Sequence, residues 1–160
     1  MIKVGDKIPA VTIATMGAQG PQPVATADFF KGKKVVIFGL PGAFTPTCSA
    51  KHLPGFITNA EALKQKGVDA VACISVNDPF VMDAWGKSLN ATGKVTMLAD
   101  GSAEFAKAAG LSLDLTARGM GVRSHRYSMV VDDGVVKKID VEENPGACDI
   151  SSAEHILAGI

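Results

Sequence analysis

Thr45 and Cys48 stand three residues apart in Pro41-Gly42-Ala43-Phe44-Thr45-Pro46-Thr47-Cys48-Ser49, immediately after the apolar run KKVVIFGL at 33–40. A cysteine is most often a small buried hydrophobe. This one falls where a strand should end and a helix should begin, and that junction changes what sulfur can do. Thr45 reads as an N-cap and Pro46 as the first helical residue, where a missing N–H costs nothing. The proline also pushes Thr45 toward the extended backbone that a cap needs. Cys48 then occupies the third helical position, among backbone N–H groups without helical partners. Those donors and the positive end of the helix dipole favour an anionic sulfur, and an anionic sulfur is a nucleophile.

Ionisation alone does not make an enzyme. A free thiol with a pKa of about 8.5 is only roughly 3% thiolate near pH 7. Complete ionisation therefore gains only about thirtyfold in nucleophile. Larger acceleration must come from donors that catch the charge as it moves to a leaving group. The Thr45 hydroxyl is one such group within the motif, and an arginine delivered from elsewhere in the fold would be another. Thr45-x-x-Cys48 has the spacing of a Cys-x-x-Cys redox pair with its first cysteine replaced. Position 51 is Lys, so no local dithiol forms and simple disulfide exchange is disfavoured.

The elements that must position this sulfur are legible as periodicities. KKVVIFGL (33–40) is a continuous apolar run of strand length, the pattern of a strand covered on both faces. VDAVACISV (68–76) and KVTMLAD (94–100) read the same way, and helical stretches lie at 48–67, 79–89 and 102–110. RYSMVVDDGVVKKIDVE (126–142) is two strands joined by Asp-Asp-Gly, a hairpin signal. VTIAT and PVAT in the first thirty residues predict another hairpin, and SSAEHILAGI (151–160) a closing helix. The order implies an α/β fold with a mixed sheet between helices. Chemistry in such sheets sits at the carboxyl ends of strands, where Cys48 lies.

Residues 1–160 read as a single domain, without repeats or long linkers. Lys plus Arg equals Asp plus Glu at 16 each, so no net field favours nucleic acid or an anionic membrane. The longest apolar stretch is too short for a bilayer and is broken by Gly and Pro. The charged start MIKVGDKIPAV does not read as a signal peptide. Three widely spaced cysteines argue against a disulfide scaffold and make a reducing cytoplasm the expected location.

The block Pro41 to Ser49, continued by Lys51-His52-Leu53-Pro54-Gly55-Phe56, resembles the active site of type II peroxiredoxins, the peroxiredoxin-5-like subfamily. The likeness extends through Ile74-Ser75-Val76-Asn77-Asp78-Pro79-Phe80-Val81-Met82, Trp85, Leu98-Ala99-Asp100-Gly101 and Arg126-Tyr127-Ser128-Met129-Val130. It implies a thioredoxin-like fold and a thiol peroxidase that reduces hydrogen peroxide and alkyl hydroperoxides. By the resemblance, Cys48 is the peroxidatic nucleophile, Thr45 holds the peroxide, Pro41 shields the pocket, and Arg126 fixes the thiolate and polarises the peroxide. Arg118 and Arg123 do not match that arginine and are expected on a solvated or loop-binding face. No cofactor or metal is implied, and a homodimer is.

The oxidised sulfur, a sulfenic acid, must be reduced again. Cys148 lies in a polar, turn-rich stretch, Glu142 to Asp149, that should be exposed and able to move. Some relatives of the resembled family carry a resolving cysteine near this place. Cys73 sits in apolar Val71-Ala72-Cys73-Ile74, a core setting, although plant-like members have a second cysteine near it. The third route has glutathione, glutaredoxin or thioredoxin attacking Cys48 directly. All three stay open at the level of sequence.

His52, four residues after Cys48, shares its helical face and is expected to brace the site rather than form a hydrolase dyad or half a metal site. Pro54 and Gly55 should kink or interrupt that helix. Asp78-Pro79 repeats the cap-then-proline pattern, Val81, Ala84 and Trp85 form an apolar stripe, and His125 and His155 are expected at the surface. A different class of protein, a redox sensor or chaperone-like binder using Cys48 only as a switch, would share these features but stop after one equivalent of peroxide.

Overall fold

The structure is a computed structural model that describes residues 1–160. β1 (Thr12–Gly17) and β2 (Gly20–Ala25) form the N-terminal hairpin, followed by the short α1 (Thr26–Phe30). β3 (Lys34–Leu40), α2 (Leu53–Gln65), β4 (Ala70–Ser75), α3 (Pro79–Ser88), β5 (Thr96–Ala99) and α4 (Glu104–Ala108) make the alternating centre. β6 (Ser112–Leu115) pairs with β7 (Gly121–Ser124) apart from the main sheet. β8 (Tyr127–Asp132), β9 (Val135–Val141) and α5 (Ala153–Ala158) complete the chain. The main sheet runs β2-β1-β5-β4-β3-β8-β9, parallel across β3, β4 and β5 and antiparallel at both sides.

β3 explains why the motif after it is so well supported. Val35 and Ile37 pack into one core layer with Phe30, Phe105 and Leu111. Val36, Phe38 and Leu40 pack into the other with Phe56, Trp85 and Ile156. Alternation on a strand thus buries both faces, as the uninterrupted apolar run requires. Gly39 is the exception that permits closeness: a Cβ there would run into the Tyr127 ring, its cross-strand neighbour. The Asp-Asp-Gly signal closes the β8–β9 hairpin with Asp133 and Gly134 both at positive φ, as a type I′ turn demands.

Several sequence expectations need correction. The helix is not broken at Pro54 and Gly55; both lie inside α2. The irregularity comes one turn earlier, where Cys48–His52 is π-helical and the Leu53 N–H reaches back to Cys48 O. Pro54 cannot donate to Ala50 O and its ring would crowd that carbonyl, so the ladder widens before it. The buried stripe of α3 is Met82, Trp85 and Gly86, while Ala84 is exposed and Val81 only half-buried. His125 is partly buried with its Nδ1 enclosed, whereas His155 lies at the surface with 41% of its side chain exposed. The short α1 and the β6–β7 pair were not foreseen: each is stabilised by packing and pairing rather than by its own periodicity. Asp78 caps α3 as expected, accepting from Val81 N at 2.9 Å.

Candidate active site

Cys48 sits at the start of the helical segment that follows β3, with Pro46 as the first helical residue. The loop between is pinned by its neighbours. Ala43 N–H donates to Asn77 Oδ1 at 3.0 Å, and Ser75 Oγ donates to the same oxygen at 2.7 Å. Arg123 donates from Nη1 to Pro41 O (3.4 Å) and from Nε to Met120 O (2.9 Å), which makes it the loop-binding arginine. Phe44 adopts a left-handed backbone (φ 63°), a costly conformation for a bulky residue, and its ring lies 6.5 Å from that of Trp85.

Thr45 holds the cap position but its side chain does not cap. Its hydroxyl donates to Gly42 O at 2.6 Å, so the first backbone N–H groups of the helix keep no side-chain partner and Oγ1 keeps its lone pairs. Ser49 Oγ accepts from Trp85 Nε1 at 3.0 Å, tying the residue after the cysteine to α3.

Cys48 is fully buried, and Arg126 Nη2 donates to its Sγ at 3.0 Å. The guanidinium has two further partners: Nη1 lies 2.9 Å from His52 Nδ1, and Nε donates to Pro145 O at 3.1 Å. Since Arg126 can only donate, His52 Nδ1 accepts and its Nε2–H points to Ser151 O, 3.0 Å away. His52 packs against Phe38 and Phe56 with its ring tilted to both, at centroid distances of 4.9 and 5.6 Å. Burial first, and then the Arg126 charge, lower the His52 pKa to about 3 against the opposing effect of Ser151. A neutral imidazole therefore serves as a hydrogen-bond spacer between the arginine and the 143–151 loop.

The structure thus brings together Cys48, Arg126 and His52, with Thr45 at the helix start and Pro41 on the loop that Arg123 grips. Cys73 is fully buried in the same core layer as Cys48, and burial, with a smaller push from Cys48, raises its thiol pKa well above the ordinary value. Cys148 is half-buried beside a surface groove that Lys51, Pro54, Thr58 and Glu154 help to line. All three cysteines are free. Sequence reasoning missed Asn77, Ser75 and Glu142, whose short-range patterns are ordinary and whose partners are brought by the fold. No group of three or more His, Cys, Asp and Glu side chains converges as a metal would need. A cleft lined by Lys64, Asp83, Lys87 and Lys94 among others holds none of these groups. Size does not mark this site, because two oxygen atoms need little room.

A thiol at the end of a strand in a thioredoxin-like layer, with an arginine on its sulfur, defines the class: a thiol-dependent redox enzyme. The Redoxin family model matches residues 3–157. Peroxiredoxin-2B of Arabidopsis thaliana is 49% identical over 160 residues, covering 99% of this chain and 98% of that protein. Reduced Prx3 of Vibrio vulnificus, crystallised with hydrogen peroxide, superposes with a TM-score of 0.94 at 49% identity over 99% of both chains. Peroxiredoxin 5 of Alvinella pompejana gives a TM-score of 0.85 at 35% identity over 99% of this chain and 97% of its own. The chain belongs to the Redoxin family and, within it, to the type II peroxiredoxins. It is a thiol peroxidase, with a hydroperoxide as oxidant and a thiol as reductant.

Proposed function

We propose that Cys48 is the sulfur that attacks the peroxide, that Arg126 and the free N–H groups of the helix start receive the charge it displaces, and that Thr45 orients the peroxide. The observation that carries this reading is the 3.0 Å bond from Arg126 Nη2 to Cys48 Sγ, with both side chains buried. The sulfur's electron pair forms an S–O bond to the nearer peroxide oxygen while the O–O bond breaks. The farther oxygen leaves with the pair and takes a proton to become water or an alcohol. Sulfur is oxidised by two electrons to a sulfenic acid, the first and reversible step. The Thr45 hydroxyl, its proton committed to Gly42 O, offers lone pairs to the peroxide O–H and so orients it. Pro41, held through its carbonyl by Arg123, covers the pocket against water. His52 holds Arg126 and touches no substrate.

For the return step we propose Cys148 as the first partner of the oxidised sulfur, because it is half-buried on the loop that already touches Arg126 and His52. Cys73, locked in central β4, is the poorer partner. Thioredoxin, glutaredoxin or glutathione then opens the bridge, or attacks Cys48 directly where no bridge forms. A homodimer is supported by two large apolar side chains, Phe44 on the active-site loop and Phe80 in the first turn of α3, which are 58% and 66% exposed. A reducing cytoplasm fits three unbridged cysteines. One equivalent of hydrogen peroxide followed by intact mass and peptide mapping tests the scheme. A Cys48–Cys148 bridge loses two hydrogens, a sulfenic acid gains one oxygen, and unmodified Cys48 overturns it. Steady turnover with a thiol donor separates the enzyme from a single-use sensor.

A further inference from the structure

The β8–β9 hairpin ends where the active site begins. Tyr127 and Val141 are cross-strand partners, so the next pair outward is Arg126 and Glu142, and Glu142 N–H donates to Arg126 O at 2.9 Å. The Glu142 side chain is buried, and its Oε2 accepts three bonds: from Asp149 N at 2.7 Å, Ser151 N at 2.9 Å and Ser151 Oγ at 2.7 Å. A carboxylate gathering backbone N–H groups in this way is a strong tether, since charge-assisted bonds exceed neutral ones. It ties residues 143–151 into a strap across the site. From that strap, Pro145 O accepts from Arg126 Nε, Gly146 O accepts from Thr47 Oγ1, and Ser151 O faces His52 Nε2. The strap also carries Cys148.

We infer that Glu142 is a positioning residue for peroxide reduction: by clasping the strap it holds Arg126 in register with the Cys48 sulfur, and the same clasp restrains Cys148 until the sulfur is oxidised. This rests on the reading of Cys48 as attacking thiol and Cys148 as its partner. Glu142 touches neither peroxide nor sulfur. It acts because the arginine head is planar and needs all three of its contacts to stay aimed. Burial pushes the Glu142 carboxyl up, but the bonds from Ser151 and Asp149 and the Arg126 charge outweigh it and hold the group below its ordinary value. It is therefore an anion at neutral pH. In the return step the S–O bond of the sulfenic acid breaks as the Cys148 sulfur forms S–S. Hydroxide leaves with the thiol proton as water, and the oxidant is the sulfenic acid itself. For Cys148 to deliver its sulfur, the strap must lift and its bonds must open.

The test uses the full chain and the variants Glu142→Gln and Ser151→Ala, each with and without Arg126→Ala. The second-order rate of oxidation by hydrogen peroxide is read from the fluorescence of Trp85, the single tryptophan. Glu142→Gln is expected to lower that rate about 10- to 100-fold in the parent, the cost of a misplaced catalytic group. In the Arg126→Ala background it should cost less than about twofold, because a residue acting through another loses its effect with it. Bridge formation between Cys48 and Cys148, followed by intact mass, should quicken several-fold. A parent inert toward peroxide would overturn the role of Cys48 itself. An active parent with Glu142→Gln unchanged, or with equal costs in both backgrounds, overturns the positioning role alone. A bridge that forms no faster, or not at all, overturns the restraint. Should Glu142→Gln fail to fold, Ser151→Ala decides, since it deletes one of the three bonds and is expected to slow oxidation several-fold.

Discussion

Arg126 Nη2 lies 3.0 Å from Cys48 Sγ although the two residues are 78 apart in the chain. The contact crosses the sheet: Cys48 follows β3, Arg126 immediately precedes β8, and β3 and β8 are antiparallel neighbours. Sheet register is thus what delivers a permanent cation to the thiol.

Arg126→Lys keeps the charge and loses the fork. A lysine cannot hold sulfur, His52 Nδ1 and Pro145 O together in one plane. The expected outcome is a peroxide rate lower by about 100-fold, comparable to removing one oxyanion donor. Stopped-flow fluorescence of Trp85 checks it.

Thr45 separates hydroxyl chemistry from shape. Thr45→Val keeps the branched volume and removes both the bond to Gly42 O and the lone pairs left for the peroxide. It should slow oxidation by about 100-fold, whereas Thr45→Ser should stay close to the parent. Equal rates for the two variants would assign Thr45 a packing role only.

His52 makes folding stability depend on pH in a defined window. The unfolded chain binds a proton at the ordinary value of 6.5, while the folded chain does so only near 3. As pH falls below 6.5 the unfolded state takes up a proton that the folded state refuses, so stability declines and levels off below about 3. The loss amounts to a few kcal/mol. Urea denaturation at pH 7 and pH 4.5 should show a smaller decline in His52→Gln than in the parent.

Gly39→Ala should destabilise the protein by about 1–3 kcal/mol, the usual cost of overpacking. The added methyl meets the Tyr127 ring rather than open space. Urea midpoints measure the loss, and Tyr127→Phe should not recover it because the ring itself is the obstacle.

Phe80→Asp tests the proposed dimer. Phe80 is exposed on the first turn of α3, where an acidic residue is compatible with the helix. Sedimentation should show a monomer with retained peroxide reduction, and an unchanged dimer would move the interface elsewhere.

The sequence was informative where one residue type answers to one local demand. The run at 33–40 had to be a strand buried on both faces, and Thr45-Pro46 had to open a helix with Cys48 in its first turn. Asp-Asp-Gly had to be a tight turn. What stayed hidden depends on through-space partners. Arg126 was assigned by resemblance to a family, since nothing in the spacing of three nearby arginines distinguishes it. Its position follows only from β3–β8 pairing. Glu142 looked like one of two acids in a loop until the fold placed it opposite Arg126. Pro54 was rightly marked as incompatible with a regular helix, but whether a chain answers with a break or a wider turn is decided by packing around Leu53 and Phe56.

The most direct measurement is peroxide consumption by Cys48→Ser beside the parent, with the mass of each protein after one equivalent of hydrogen peroxide. The account predicts that the serine variant folds, consumes no peroxide and gains no oxygen, while Cys148→Ser adds a single oxygen at Cys48. A Cys48→Ser protein that still turns over peroxide at the parent's rate would contradict it.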